Sequence, residues 1–188
     1  MLARINPWVR TRTETENLAD PNVLANLVSS ADVVISAIGD DLQETLLGEA
    51  IYASTTRPSM ILVRTLHGGA AFRVVLIRPG VDACIECLAS YRQASSAQWI
   101  SVPPRGLKDL YDTGCAAPAR PGTGLSSLDA AIFAAARAID LLEDDAGDIN
   151  HWLWVERAIA SADPRLTDPH ILHTATFRPL PGCRTCGA

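Results

Sequence analysis

Apolar and polar positions fall in blocks along this chain, and the blocks switch between helical and extended periods. Pro21 to Ser30 reads as a short helix, with Asp20 placed to cap it ahead of Pro21. Ala31 to Ile38 follows, and its Val33-Val34-Ile35 run predicts a strand buried on both faces. Gly39-Asp40-Asp41 makes a turn, and Leu42 to Ala53 suits a helix. Ser59 to Leu66 is a second apolar strand, Gly68-Gly69 a tight turn, and Phe72 to Arg78 a third strand placed as hairpin partner of the second. Strand, helix, strand and antiparallel return is α/β order.

Further on, Leu88 to Gln93 predicts a helical turn. Residues 94–123 lack periodicity and are rich in Gly, Pro and Ser, a loop long enough to be either functional or disordered. The clearest helix is Ser126 to Glu143. Leu125, Leu128, Ile132, Ala135, Ile139 and Leu142 recur at three- and four-residue steps, an apolar stripe that predicts a core helix. The small residues Ala130, Ala131, Ala134 and Ala135 would let it pack closely on a sheet. His151 to Ile159 and Ile171 to Arg178 read as strands, and Trp152 and Trp154 share one face of the first. No internal repeat or second domain is visible, so residues 1–188 are expected to form a single domain.

Composition narrows the class. Hydrophobic residues at 48% against 20% charged describe a globular chain rather than a disordered one. The net charge of -5, with no run of Lys or Arg, argues against nucleic acid as a partner. No apolar stretch approaches the roughly 18 residues of a membrane span. Met1 to Arg10 lacks the apolar centre of a signal peptide. A cytoplasmic protein is therefore expected, and cysteines in that compartment are more often metal-bound or reactive than disulfide-bonded.

Four of the five cysteines form two C-x-x-C pairs, Cys84/Cys87 and Cys183/Cys186. A two-residue gap lets one tight turn present two thiolates to an ion, and two such turns complete a tetrahedral zinc shell. Pro79-Gly80 and Pro181-Gly182 supply turn residues ahead of each pair. The competing account is a redox dithiol. A thioredoxin-like pair opens a helix after a strand, which the second pair cannot do with Ala188 ending the sequence. Zinc is the expected cofactor. A closed four-thiolate site leaves no position for substrate, so the ion is expected to be structural.

Several stretches together resemble the ThiF/MoeB/HesA family of adenylyltransferases, relatives of ubiquitin-activating enzymes. These are Leu2-Ala3-Arg4-Ile5-Asn6-Pro7, the strand Ala31-Asp32-Val33-Val34-Ile35-Ser36-Ala37, Pro79-Gly80 through Cys84-Ile85-Glu86-Cys87-Leu88, Gly114-Cys115 with the helix after it, and Cys183-Arg184-Thr185-Cys186. The resemblance implies an α/β fold with a partial Rossmann-like sheet, antiparallel additions and a tetracysteine zinc site, and a crossover loop at about residues 94–123. It also implies a homodimer or a partner subunit. The sequence departs from the family at two places: after the central strand, where Gly39 or Asp40 takes the position of the family's magnesium-holding aspartate, and at the nucleotide unit. The unit carrying the glycine-rich phosphate loop would precede Met1, and no G-x-G-x-x-G occurs here. Gly122-Thr123-Gly124 precedes a helix but follows no strand. The chain is therefore expected to be the C-terminal part of an adenylation domain.

The implied chemistry is ATP-dependent adenylation of the C-terminal glycine of a ubiquitin-like or sulfur-carrier protein with a Gly-Gly tail. The alternative is a zinc-containing carrier-binding module that has lost ATP binding. Cys115 matches the family's crossover-loop cysteine. Two roles stand for it: nucleophile for thioester transfer, or small buried filler beside Ala116 and Ala117. Asp40 and Asp41 are the carboxylates nearest the family's magnesium position, and they are equally placed to cap the helix that follows.

Overall fold

A computed structural model describes residues 10–13, 17–66, 71–94, 124–155 and 173–187. Helix α1 spans Pro21–Ser29 and β1 spans Val33–Ser36. They are followed by α2 at Asp41–Ala53, β2 at Ser59–Leu66, β3 at Ala71–Ile77 and α3 at Ile85–Ala94. Helix α4 spans Gly124–Leu142, and β4 at His151–Val155 and β5 at His173–Ala175 complete the order. The strands form one mixed sheet in the order β1-β2-β3-β4-β5. Only β1 and β2 are parallel, joined through α2; each later pair is antiparallel.

Local chemistry accounts for the boundaries. Asp20 accepts a hydrogen bond from the Asn22 amide, and Pro21 stands where a missing N–H costs α1 nothing. Asp40 caps α2 by accepting from the Gln43 amide at 2.8 Å. Gly39, at φ +72°, makes the left-handed step that swings the chain from β1 into that helix. On β2 and β3, Met60, Leu62, Val75 and Ile77 point into a core with Leu24, Val28, Leu47, Ile51 and Leu88. Ile61, Val63, Phe72, Val74 and Leu76 point the other way, onto Ala130, Ala134 and Trp152. The period of two in the strands thus feeds two cores, and helices cover the sheet on both sides.

Three expectations need correction. Strand β1 is not buried on both faces: among the described residues it ends the sheet, and Ile35 is 51% exposed. The segment after Cys87 is more than a helical turn, since α3 starts at Ile85. The stripe on α4 does not face the core. Ala130 and Ala134 meet the sheet, with Phe133, Ala138 and Leu141 beside them. Leu128, Ile132, Ile139 and Leu142 are 54–63% exposed, and Ala135 is exposed with them. Small residues at positions 130 and 134 let α4 lie close to Phe72 and Trp152 of the sheet, while Leu128, Ile132, Ile139 and Leu142 turn outward. The last two predicted strands are described only as β4 and β5, and Thr176 to Arg178 run on without strand pairing. Trp152 and Trp154 do share a face: Trp152 meets the ring of Phe133 edge-on, and Trp154 stacks on Phe72 at 5.5 Å.

Candidate metal centre

The two C-x-x-C pairs are presented by different devices. Gly80, at φ +84°, closes a turn in which the amides of Val81 and Asp82 both bond to the Arg78 carbonyl. The chain then enters α3. The Leu88 amide bonds to the Cys84 carbonyl, so Cys84 occupies the cap position. Its sulfur accepts from the Cys87 amide at 3.4 Å, as a capping side chain does. The helix N-terminus therefore directs its positive end at these sulfurs. At the other end of the chain Gly182, at φ +74°, turns the backbone. The Cys183 amide bonds to the Leu180 carbonyl and the Gly187 amide to the Cys183 carbonyl, closing the second knuckle.

These knuckles meet. Cys84 Sγ lies 3.4 Å from Cys183 Sγ, and Cys87 Sγ lies 3.6 Å from Cys186 Sγ. All four sulfurs fall within 4.8 Å of one another, close enough for one metal ion to touch them all. Cys84 and Cys87 are buried, and Cys183 and Cys186 half-buried. Burial pushes the Cys84 thiol up. Burial also acts upward on Cys183. There the Cys186 amide and the neighbouring sulfurs outweigh it and lower the thiol.

Side chains that the sequence did not single out hold the second knuckle against the first. Glu86, between Cys84 and Cys87, accepts from the Thr185 amide at 3.1 Å and the Thr185 hydroxyl at 2.7 Å. The Leu180 amide donates to Cys87 Sγ at 3.3 Å. Deeper, Asn150 grips the backbone of Phe177 from both sides: its Nδ2 donates to the carbonyl at 2.6 Å and its Oδ1 accepts from the amide at 2.8 Å. The same Nδ2 donates to Asp82, which is fully buried and held by Arg78 through Nε and NH2 at 2.7 and 3.0 Å. The Phe177 ring packs on Tyr91 and His151. Asp82 two residues before Cys84, and Asn150 on the strand side, carried a faint signal as polar residues bordering apolar runs, but nothing in their spacing linked them.

Beside the centre is a cavity of about 210 Å³, floored by Ile51, Met60 and Ile77 and reaching Cys84 and Arg184. It is smaller than the pockets that hold drug-sized ligands.

The expected magnesium ligands are engaged in other ways. Asp40 is the α2 cap, and Asp41, exposed, pairs with Arg64. Arg64 also binds the buried Glu44, whose Oε1 accepts from the Gly39 amide. Burial alone would lower the Arg64 guanidinium, but the bonds to Glu44 and Asp41 raise it above its ordinary range. Among the described residues, the four cysteines are the one group of three or more His, Cys, Asp or Glu placed to hold a metal. Cys115 and the loop at about residues 94–123 lie outside the described residues. No helix among the described residues is long and apolar enough to cross a membrane. No protein-family model matches the sequence, and neither does any curated protein.

Proposed function

We propose that this chain is the metal-stapled, carrier-facing part of a ThiF-like adenylation domain, with structural zinc at the four cysteines. One observation carries it: two C-x-x-C knuckles, 99 residues apart in sequence, converge with sulfur contacts of 3.4 and 3.6 Å. A Zn–S bond of about 2.3 Å sets a tetrahedral sulfur–sulfur edge of about 3.8 Å, so a small outward relaxation accommodates the ion. The β1–α2–β2 unit supports the reading as the edge of a Rossmann-like sheet, with β3, β4 and β5 as its antiparallel additions.

On this reading the carrier's terminal glycine carboxylate attacks the α-phosphate of ATP and releases pyrophosphate. Cys115 then takes the acyl group as a thioester, and AMP leaves. Asp40 or Asp41 would supply oxygen to magnesium, and the phosphate-binding loop would come from outside residues 1–188. The second reading, a carrier-binding module without ATP chemistry, is favoured by the engagement of both aspartates, one as cap and one with Arg64.

The test is ATP–pyrophosphate exchange by the zinc-loaded chain with Gly-Gly-tailed carriers, alongside carrier binding without ATP. Exchange supports the adenylation reading. Binding without exchange supports the module. Neither, from folded zinc-loaded protein, removes both. If exchange occurs, Cys115→Ala is expected to leave it intact while abolishing the covalent carrier conjugate.

A further inference from the structure

We propose that the cavity beside the metal centre is a binding site for a small aromatic ligand of phenol size, closed on one side by the cysteine-bearing tail. The cavity, about 210 Å³, is walled by α2, α3 and the sheet, and the second knuckle completes the wall through Arg184 and Thr185. Two small residues leave the space, Gly48 on α2 and Ala89 on α3. The floor is apolar: Ile51, Met60 and Ile77 are 1, 1 and 2% exposed. Thr45, Glu49 and Arg184 are exposed and mark the side that opens to solvent.

Size and lining together select the ligand. An apolar cavity of about 150 Å³ is enough to take up benzene. One of about 210 Å³ admits a ring with a short substituent. Met60 and Cys84 put sulfur in the lining, and sulfur makes favourable contacts with aromatic rings. Tyr52 lines the cavity too, and its buried hydroxyl has no hydrogen-bond partner among the described residues. Such a hydroxyl carries a desolvation cost that a phenolic ligand would offset. The tail couples this site to the metal. Cys183 and Cys186 supply two of the four sulfurs, and Arg184 and Thr185 between them frame the cavity. The site is therefore complete only while the tail is docked. By linkage, a ligand that needs the docked tail raises zinc affinity by the same factor as zinc raises its own. The coupling rests on the metal-stapled tail proposed above, whereas uptake of a ring rests on the cavity.

The experiment is a titration of the zinc-loaded chain, its metal content measured, with phenol and with toluene, followed through the methyl NMR signals of Ile51, Met60 and Ile77. The expected result is saturable shifts at those methyls, with a dissociation constant for phenol at or below about 1 mM. Toluene should bind at least about threefold more weakly, and Tyr52→Phe should abolish that preference. Ala89→Phe should fill the cavity and weaken phenol at least about tenfold while zinc is retained. If that variant loses zinc or its circular dichroism spectrum, Thr45→Trp at the exposed mouth takes its place. Coupling is read on the unmodified protein. Saturating phenol should raise zinc affinity at least about threefold in competition with a chelator, and metal-free protein should bind phenol more weakly by the same factor. Zinc-loaded protein without saturable shifts would overturn the ligand site and leave the metal reading standing. Undiminished phenol binding in the filled variant would overturn the placement in this cavity. Zinc affinity indifferent to phenol would overturn closure by the tail, and a chain that takes up no zinc would remove the metal reading and the coupling with it.

Discussion

Asn150→Ala is expected to weaken metal binding although residue 150 touches no sulfur. Asn150 is 1% exposed and makes bonds of 2.6 and 2.8 Å to the Phe177 backbone and 2.9 Å to Asp82. The Phe177 carbonyl would keep its bond from the Ala83 amide at 3.0 Å, and Asp82 would keep Arg78. The Phe177 amide would lose its partner, and Asp82 one charge-assisted bond. An unsatisfied buried donor costs about 1–3 kcal/mol and a lost bond to a charged group about 1.5 more, so tail docking weakens by about 2.5–4.5 kcal/mol. Cys183 and Cys186 reach Cys84 and Cys87 only when the tail is docked, so apparent affinity falls with the docked fraction of the metal-free chain. The ceiling on the loss is the whole of that, about 2.5–4.5 kcal/mol or about 70- to 2,000-fold. Competition against a chromophoric zinc chelator measures the affinity, and hydrogen exchange of the metal-free protein reports docking at residues 176–187. Zinc affinity within threefold of wild type, together with unchanged exchange in the tail, would refute the claim that Asn150 docks it.

Three other outcomes are expected. Removing metal with a strong chelator should lower the melting temperature by about 10 °C, from about 3–4 kcal/mol of linked binding energy, and Cys186→Ser should melt alike with and without added zinc. Arg64→Leu leaves Glu44, 1% exposed, without its cation. It should cost about 3 kcal/mol in urea denaturation, and adding Glu44→Gln should restore about half. A Cβ on Gly48 would lie 2.8 Å from Ile85 Cδ1, the mobile end of that side chain. Gly48→Ala should therefore fall within about 1 kcal/mol of wild type, with helix propensity offsetting the crowding, whereas Gly48→Leu should lose about 1–3 kcal/mol at the α2–α3 contact.

Features set by neighbours in sequence were legible. The Asp20 and Asp40 caps, the bounds of β2 and the pairing of β2 with β3 follow from local chemistry and alternation. The metal-ligand set was legible because a two-residue gap is itself a geometric statement. Features set by distant partners were not. Periodicity revealed a stripe on α4 but not which face it turned to the sheet, since alanines formed a second, less conspicuous apolar face. Val33-Val34-Ile35 looked like a central strand because edge position depends on what pairs with it. The grip of Asn150 on Phe177 spans 27 residues and that of Glu86 on Thr185 spans 99. No spacing rule connects such pairs.

The metal centre and the exposed face of α4 lie on opposite sides of one sheet, and that separation has a physical origin. Alternate residues of β2 and β3 belong to different cores: Met60, Leu62, Val75 and Ile77 pack toward Cys84 and Cys87, while Ile61, Val63, Val74 and Leu76 pack toward Ala130 and Ala134. Strain at one face reaches the other only through the backbone of strands already fixed by pairing on both edges. Substitutions outside those cores, at least 7–10 Å apart and sharing no partner, are expected to be additive. Lysines on the outer face of α4 should therefore leave zinc affinity unchanged. Contact between the two knuckles does not depend on an ion, because Glu86, Asn150 and the Leu180 amide already make it from the chain's own groups. An ion held by the four cysteines would fasten a tail that hydrogen bonding has positioned, so its removal should loosen residues 176–187 before it disturbs the sheet.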